Sequence, residues 1–178
     1  MGITPDMKLT LSVLNDAPTI RNAMGETTLC LRDLGIPQIE NLSHLQIQYR
    51  ALDITGNDLI DLDNIPPLEH LETLLAAENS IMKILQSFAI LQNLKHLSLM
   101  NNKIRKLESL QQLKEATSLT DLVLTGNEVT SLENYRPYVI FLVPSLKVLD
   151  FKRVTMKERQ LAQQLFGEVK NRSANEKS

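Results

Sequence analysis

A chain of 178 residues, 43% hydrophobic and 22% charged, with a net charge of −2, suits one folded domain and gives no whole-chain sign of a nucleic-acid coat. Its single cysteine, Cys30, rules out an internal disulfide and fits a reducing compartment. No stretch approaches the roughly 18 apolar residues of a membrane span, and the N-terminus lacks the basic-then-apolar layout of a signal peptide. The chain therefore reads as intracellular and soluble. Charge is unevenly spread: residues 147–178 carry eight Lys or Arg against four acids, so that end is +4 and the remaining 146 residues are −6. A basic end of this kind is a candidate phosphate-facing patch.

In chain order, residues 1–28 read as a lead-in and N-terminal cap. A short helix starts at Thr10 to Leu14, Pro18 ends or bends it, and Gly25 marks the turn into a first strand. From Leu29 the sequence repeats. Leu52, Ile54, Asn57, Leu59 and Leu62 form one copy. Leu71, Leu74, Ala76, Asn79, Ile81 and Ile84 form the next. Leu94, Leu97, Leu99, Asn102, Ile104 and Leu107 follow, and then Leu119, Leu122, Leu124, Asn127, Val129 and Leu132. Weaker copies flank them, with Leu34 and Val154 where the asparagine would stand. Asparagines at 57, 79, 102 and 127 give steps of 22, 23 and 25 residues. A short strand turning at an asparagine every 20–29 residues is the pattern of a leucine-rich repeat.

The predicted fold is thus an α/β leucine-rich repeat, a right-handed solenoid of about six coils. A parallel sheet lines its concave face, and helical caps close both ends. No single coil buries its own apolar face, so the coils must stack. Asn57, Asn79, Asn102 and Asn127 are expected to form a buried structural ladder, because an amide supplies both donors and an acceptor to backbone leaving each strand. Residues 86–91 and 109–116 read as short outer helices. A C-terminal cap is predicted over about residues 133–169 within a repeat domain of 29–169. Thr155 and Glu158 form a capping-box signature there, and Leu161, Leu165, Phe166 and Val169 form a core-closing helix face. Residues 170–178 read as a disordered tail.

No catalytic constellation is present. His44, His70 and His96 do not share a frame position. There is no zinc spacing, phosphate-binding glycine loop or nucleophile elbow, so no cofactor or metal is expected. The informative surface is the inner face, assigned by strand alternation. It holds Cys30, Asp53, Thr73, Leu75, Ala77, His96, Ser98, Met100, Asp121, Val123 and Thr125, with Asp150 and Lys152 following at its end. Its middle, at Leu75, Ala77, Met100 and Val123, is small or apolar. Such a trough suits a docked helix from a partner protein.

The run Tyr135-Arg136-x-Tyr138-Val139-Ile140, then Pro144, Leu149-Asp150-Phe151, Val154 and Lys157-Glu158-Arg159, resembles the cap of small intracellular leucine-rich proteins. With Lys8-Leu9-Thr10, Ile36-Pro37-x-Ile39-Glu40-Asn41-Leu42 and Leu74-Leu75, the chain is most similar, over about residues 8–169, to the A-prime family of the spliceosomal U2 small nuclear ribonucleoprotein. The resemblance implies a nuclear, non-enzymatic scaffold of pre-mRNA splicing, the monomeric subunit of a heterodimer. It implies a partner with an RNA-recognition motif, of the B-double-prime type, with one helix in the trough. It also implies that the pair binds stem-loop IV of U2 RNA, with Arg21, Arg32, Lys152 and Arg153 as the candidate phosphate contacts. The competing expectation is a leucine-rich regulator of a phosphatase or other signalling protein, using the same trough without RNA.

Overall fold

The computed structural model describes residues 8–45 and 49–175, and of residues 168–175 the backbone only. Its strands are β1 Thr19–Arg21, β2 Thr27–Cys30, β3 Ala51–Asp53, β4 Asp61–Leu62, β5 Thr73–Leu75, β6 Lys83–Ile84, β7 His96–Ser98, β8 Asp121–Val123, β9 Val148–Leu149 and β10 Lys152–Arg153. Its α-helices are α1 Leu11–Asp16, α2 Tyr135–Leu142 and α3 Met156–Asn175. Eight strands make one sheet, in the order β1-β2-β3-β5-β7-β8-β9-β10. Pairing is parallel from β2 to β9 and antiparallel at both ends. A second, two-stranded sheet joins β4 to β6 after the asparagine turns.

Register aligns Leu29, Leu52, Leu74, Leu97, Leu122 and Leu149 across the sheet, and all six are buried. Leu31, Ile54, Ala76, Leu99 and Leu124 form a second buried row two residues on. Full burial of each such leucine stabilises the stack by about 2 kcal/mol.

The asparagine ladder takes its predicted place. In each coil the amide nitrogen donates to its own strand's exit and to the carbonyl of the preceding coil. Asn102 donates to Leu99 at 3.0 Å and to Ala76 at 2.9 Å, while its oxygen accepts from the Ile81 N–H. Asn57, Asn79 and Asn127 repeat this arrangement and are likewise buried. The residue before each asparagine is left-handed: Gly56, Glu78, Asn101 and Gly126 have φ of +72°, +54°, +54° and +83°.

Between coils the outer segments are 3-10 turns or extended chain, not α-helices: Leu42–His44, Phe88–Ile90, Leu107–Glu115 and Glu128–Ser131. An α-helix about 10 Å wide on every coil cannot keep pace with strands about 4.8 Å apart without strong curvature. Gln86, expected to open a helix, is instead buried. Its side chain accepts from the Ile65 N–H and donates to the Ser87 carbonyl.

At the N-terminal end Thr10 caps α1 by accepting from the Val13 N–H, and the helix stops before Pro18. Beyond it, Gly25 at φ +78° turns β1 back against β2, an antiparallel edge that the sequence reading lacked. At the other end Thr155 and Glu158 form the reciprocal capping box at the start of α3. Pro137 falls in the first turn of α2, where its missing N–H disrupts no intrahelical bond.

Two expectations for α3 are corrected. Its packing face is Ala162 and Phe166, the latter 5.4 Å from Tyr138 and 5.8 Å from Phe141 between ring centres. Leu161 and Leu165 are 45% and 40% exposed, because the buried stripe is one position out of phase with theirs; the side chain of Val169 lies outside the described residues. The helix also continues to Asn175, through six residues placed in a disordered tail by composition. Residues 176–178 are outside the described set.

Candidate partner-binding face

Register resolves the inner face into three rows running along the solenoid. The first is Thr28, Ala51, Thr73, His96, Asp121 and Val148. The second is Cys30, Asp53, Leu75, Ser98 and Val123. The third, carried by ladder bonds that continue past the short strands, is Arg32, Thr55, Ala77, Met100 and Thr125.

The first row is closed at its N-terminal half by the chain itself. Glu26 accepts from the Thr73 hydroxyl at 3.0 Å and from the Asn22 amide at 2.6 Å, so its side chain crosses β3 over Ala51. Thr73 is 0% exposed and is removed from the contact surface expected of it. Asp53, 5% exposed, accepts from Arg32 at 3.2 Å and from the Thr55 N–H; it acts as a brace. Ala77 is 7% exposed, leaving a smooth floor with little area of its own.

Further along, the face is open. Leu75, Ser98, Met100 and Val123 are half-buried and adjacent, Cys30 is half-buried nearer the start, and Thr125 is exposed. His96 lies 3.3 Å from Asp121, whose carboxylate also accepts from the Thr120 hydroxyl. The open centre is therefore apolar, with polar pairs on its flanks.

Comparison with known proteins fixes the family. A leucine-rich repeat family model matches residues 6–177. U2 small nuclear ribonucleoprotein A' of Candida albicans is 43% identical over 164 residues, 90% of this chain and 70% of that protein. The Schizosaccharomyces pombe protein of the same name is 39% identical over 93% of this chain and 70% of its own length, and the human one 40% over 90% and 63%. Among solved structures, the Drosophila melanogaster SNF/U2A' complex contains a chain that superposes with a TM-score of 0.86 at 35% identity, covering 97% of this chain and 99% of that one. The chain belongs to the U2 snRNP A' family. It is a non-enzymatic family, and among the described residues no group of three or more His, Cys, Asp or Glu is placed to hold a metal.

The four basic residues expected at the ends of this chain do not form one patch. Arg21 lies on β1, Lys152 and Arg153 on β10, at opposite edges of the eight-stranded sheet. Seven strand spacings of about 4.8 Å put those edges roughly 34 Å apart. Arg21 opposes Thr27 and donates to the Gly25 carbonyl at 2.9 Å. Arg32 sits on the inner face, and its pairing with Asp53 raises its pKa above the usual arginine value; part of its charge is already matched.

At the far end, alternation is broken by a turn. The two-residue loop Asp150-Phe151 sets Lys152 opposite Leu149 and Arg153 opposite Val148. Directly opposed residues share a face, so Arg153 continues the inner face and Lys152 does not, a correction to the extrapolated strand. Asp150 also leaves that face. Its Oδ1 accepts from the N–H groups of Leu124 at 2.7 Å and Thr125 at 2.9 Å, replacing the carbonyl that a further parallel strand would have offered. Beneath, Arg136 donates to the carbonyls of Leu149, Lys152 and Arg153 and to Glu158. Lys152 and Arg153 are exposed, with no ion pair among the described residues.

Proposed function

We propose that this protein is a non-enzymatic scaffold of the spliceosomal U2 small nuclear ribonucleoprotein, acting in the nucleus in pre-mRNA splicing. It binds a helix of an RNA-recognition-motif partner of the B-double-prime type on the open centre of the inner face, as the monomeric subunit of a heterodimer. The pair then binds stem-loop IV of U2 snRNA. The observation that carries this reading is the uncovered centre where Leu75, Met100 and Val123 surround the small Ser98, on a chain that superposes along its length on one solved in complex with SNF.

The RNA contribution comes from exposed cations. Lys152 and Arg153 are unpaired among the described residues and successive in the chain, whereas Arg21 and Arg32 are each partly committed to this chain's own acceptors. Phosphate contacts of this kind add affinity that is salt-dependent and blind to sequence.

The test is to purify the tagged protein from cells under mild salt and probe for U2 RNA and an RNA-recognition-motif protein. Recovery of both is expected. Recovery of a signalling enzyme without U2 RNA would overturn the splicing assignment in favour of the regulatory one.

A further inference from the structure

The hairpin that ends the sheet turns through two residues alone, Asp150 and Phe151, with φ of +49° and +63°. Two consecutive left-handed residues suit the right-handed twist of the flanking strands, and glycine fills the second position without steric cost. A phenylalanine there carries strain from its Cβ and ring. Asp150 is held by its bonds to Leu124, Thr125 and Tyr135. Phe151 has no comparable return: it is 70% exposed and stacks on no other ring among the described residues. Strain and exposure together, without packing to offset them, point to function at that residue.

Its neighbours narrow the ligand. Lys152 and Arg153 follow directly, are exposed, and by their pairing with Leu149 and Val148 lean to opposite faces of the hairpin. The carbonyls beneath them are taken by Arg136, which fixes the backbone of the turn. The tip therefore presents one exposed aromatic ring, followed directly by two unpaired cations, one toward each face of the hairpin. Protein interfaces are depleted in lysine. An exposed ring with two adjoining cations instead matches an unstacked base and its neighbouring phosphates.

We propose that Phe151 is a stacking platform for one unpaired RNA base, with Lys152 and Arg153 holding the adjoining phosphates. This rests on the RNA reading given above and names the residue that would give it more than charge. A stacked ring adds affinity without counterion release, so it separates cleanly from the cations in a salt titration.

The experiment measures binding of stem-loop IV RNA to the complex of this chain with its RNA-recognition-motif partner, as a function of salt. Phe151→Ala and Phe151→Leu are each expected to weaken RNA binding about tenfold, leaving the salt slope and the affinity for the protein partner unchanged. Phe151→Trp should retain binding, and its fluorescence should be quenched when RNA is added. Replacing Lys152 and Arg153 by Ala should flatten the slope by about 1.4–1.8. If that double variant changes the slope while Phe151→Leu binds RNA as tightly as wild type, stacking is overturned and the RNA reading stands. If neither variant affects RNA binding, both are overturned. Loss of partner affinity in Phe151→Ala without RNA present would assign the ring to a protein interface and overturn stacking.

Discussion

The hydroxyl of Tyr135 donates to Oδ2 of Asp150 at 2.7 Å, and Asp150 in turn supplies the acceptor for the last two free N–H groups of the parallel sheet. Burial, reinforced by the neighbouring carboxylate, pushes the Tyr135 hydroxyl well above the ordinary tyrosine range. One side chain thus ends the sheet, and a second, from α2, holds it in place. Replacing Asp150 by Ala strands the Leu124 and Thr125 N–H groups and should cost about 2–3 kcal/mol; Tyr135→Phe removes one charge-assisted bond and should cost about 1.5 kcal/mol. Urea unfolding of the two variants checks the order. A smaller loss in Asp150→Ala than in Tyr135→Phe would contradict the carbonyl-replacement role.

The asparagine ladder predicts an asymmetry between two substitutions at one position. Asn102→Ala leaves the buried Ile81 N–H without its acceptor and takes one of two amide donors from the Leu99 and Ala76 carbonyls, which keep Asn127 and Asn79, at a cost of about 2–3 kcal/mol. Asn102→Asp keeps an acceptor for Ile81 but turns a carboxylate oxygen towards two carbonyls in a buried site, and should be no better. Thermal melts of both, with melting points well below wild type, are expected. An aspartate variant as stable as wild type would mean that the amide nitrogen is dispensable.

Left-handed positions predict opposite signs for glycine and non-glycine residues. A Cβ at Gly126 would meet the Asn101 side-chain oxygen, and φ is +83° there, so Gly126→Ala should destabilise by about 1–3 kcal/mol. Glu78 and Phe151 are non-glycine residues at φ of +54° and +63°. Replacing either by Gly should relieve strain and raise stability by up to about 1 kcal/mol, read as a higher urea midpoint with an unchanged slope.

The capping box on α3 carries a pH signature. The Arg136 guanidinium, helped by the Thr155 bonds and opposed by partial burial, draws the Glu158 carboxyl from 4.5 down to about 2. A carboxylate depressed in the folded state stabilises above its unfolded pKa and loses that contribution as pH falls through the folded one. The gap in melting temperature between wild type and Glu158→Gln should therefore be full at pH 6 and close progressively from about pH 4.5 towards pH 2. A gap independent of pH would show that the carboxylate charge contributes nothing.

The repeat frame was legible because its signals are local. Leucine spacing and the asparagine at each turn are enforced within one coil and then copied, so Asn57 to Asn127 and the spine from Leu29 to Leu149 follow directly. The ends were harder, since they depend on contacts far apart in the chain. Nothing near Glu26 in the sequence indicates that it reaches Thr73, 47 residues away, and closes the first row of the inner face. Strand alternation carried past Leu149 misplaced Asp150 and Lys152, because a two-residue hairpin reverses the chain there. An Asp-Phe pair is a weak signal for such a turn, where Asn-Gly or Asp-Gly would have been a strong one. Of the residues assigned inward by spacing, Phe166 holds its place against the rings of Tyr138 and Phe141, while Ala162 takes the buried position that Leu161 and Leu165 were expected to share.

The most direct test of the account is calorimetric titration of the RNA-recognition-motif partner with Met100→Glu, beside Ile60→Glu as a control at an exposed apolar residue off the inner face. Both variants should fold as wild type by circular dichroism. Met100→Glu places an unpaired charge in the apolar centre and should weaken partner binding about thirtyfold or more, while Ile60→Glu should bind as wild type. Wild-type affinity in Met100→Glu, or a comparable loss in Ile60→Glu, would contradict the assignment of the partner to the inner face.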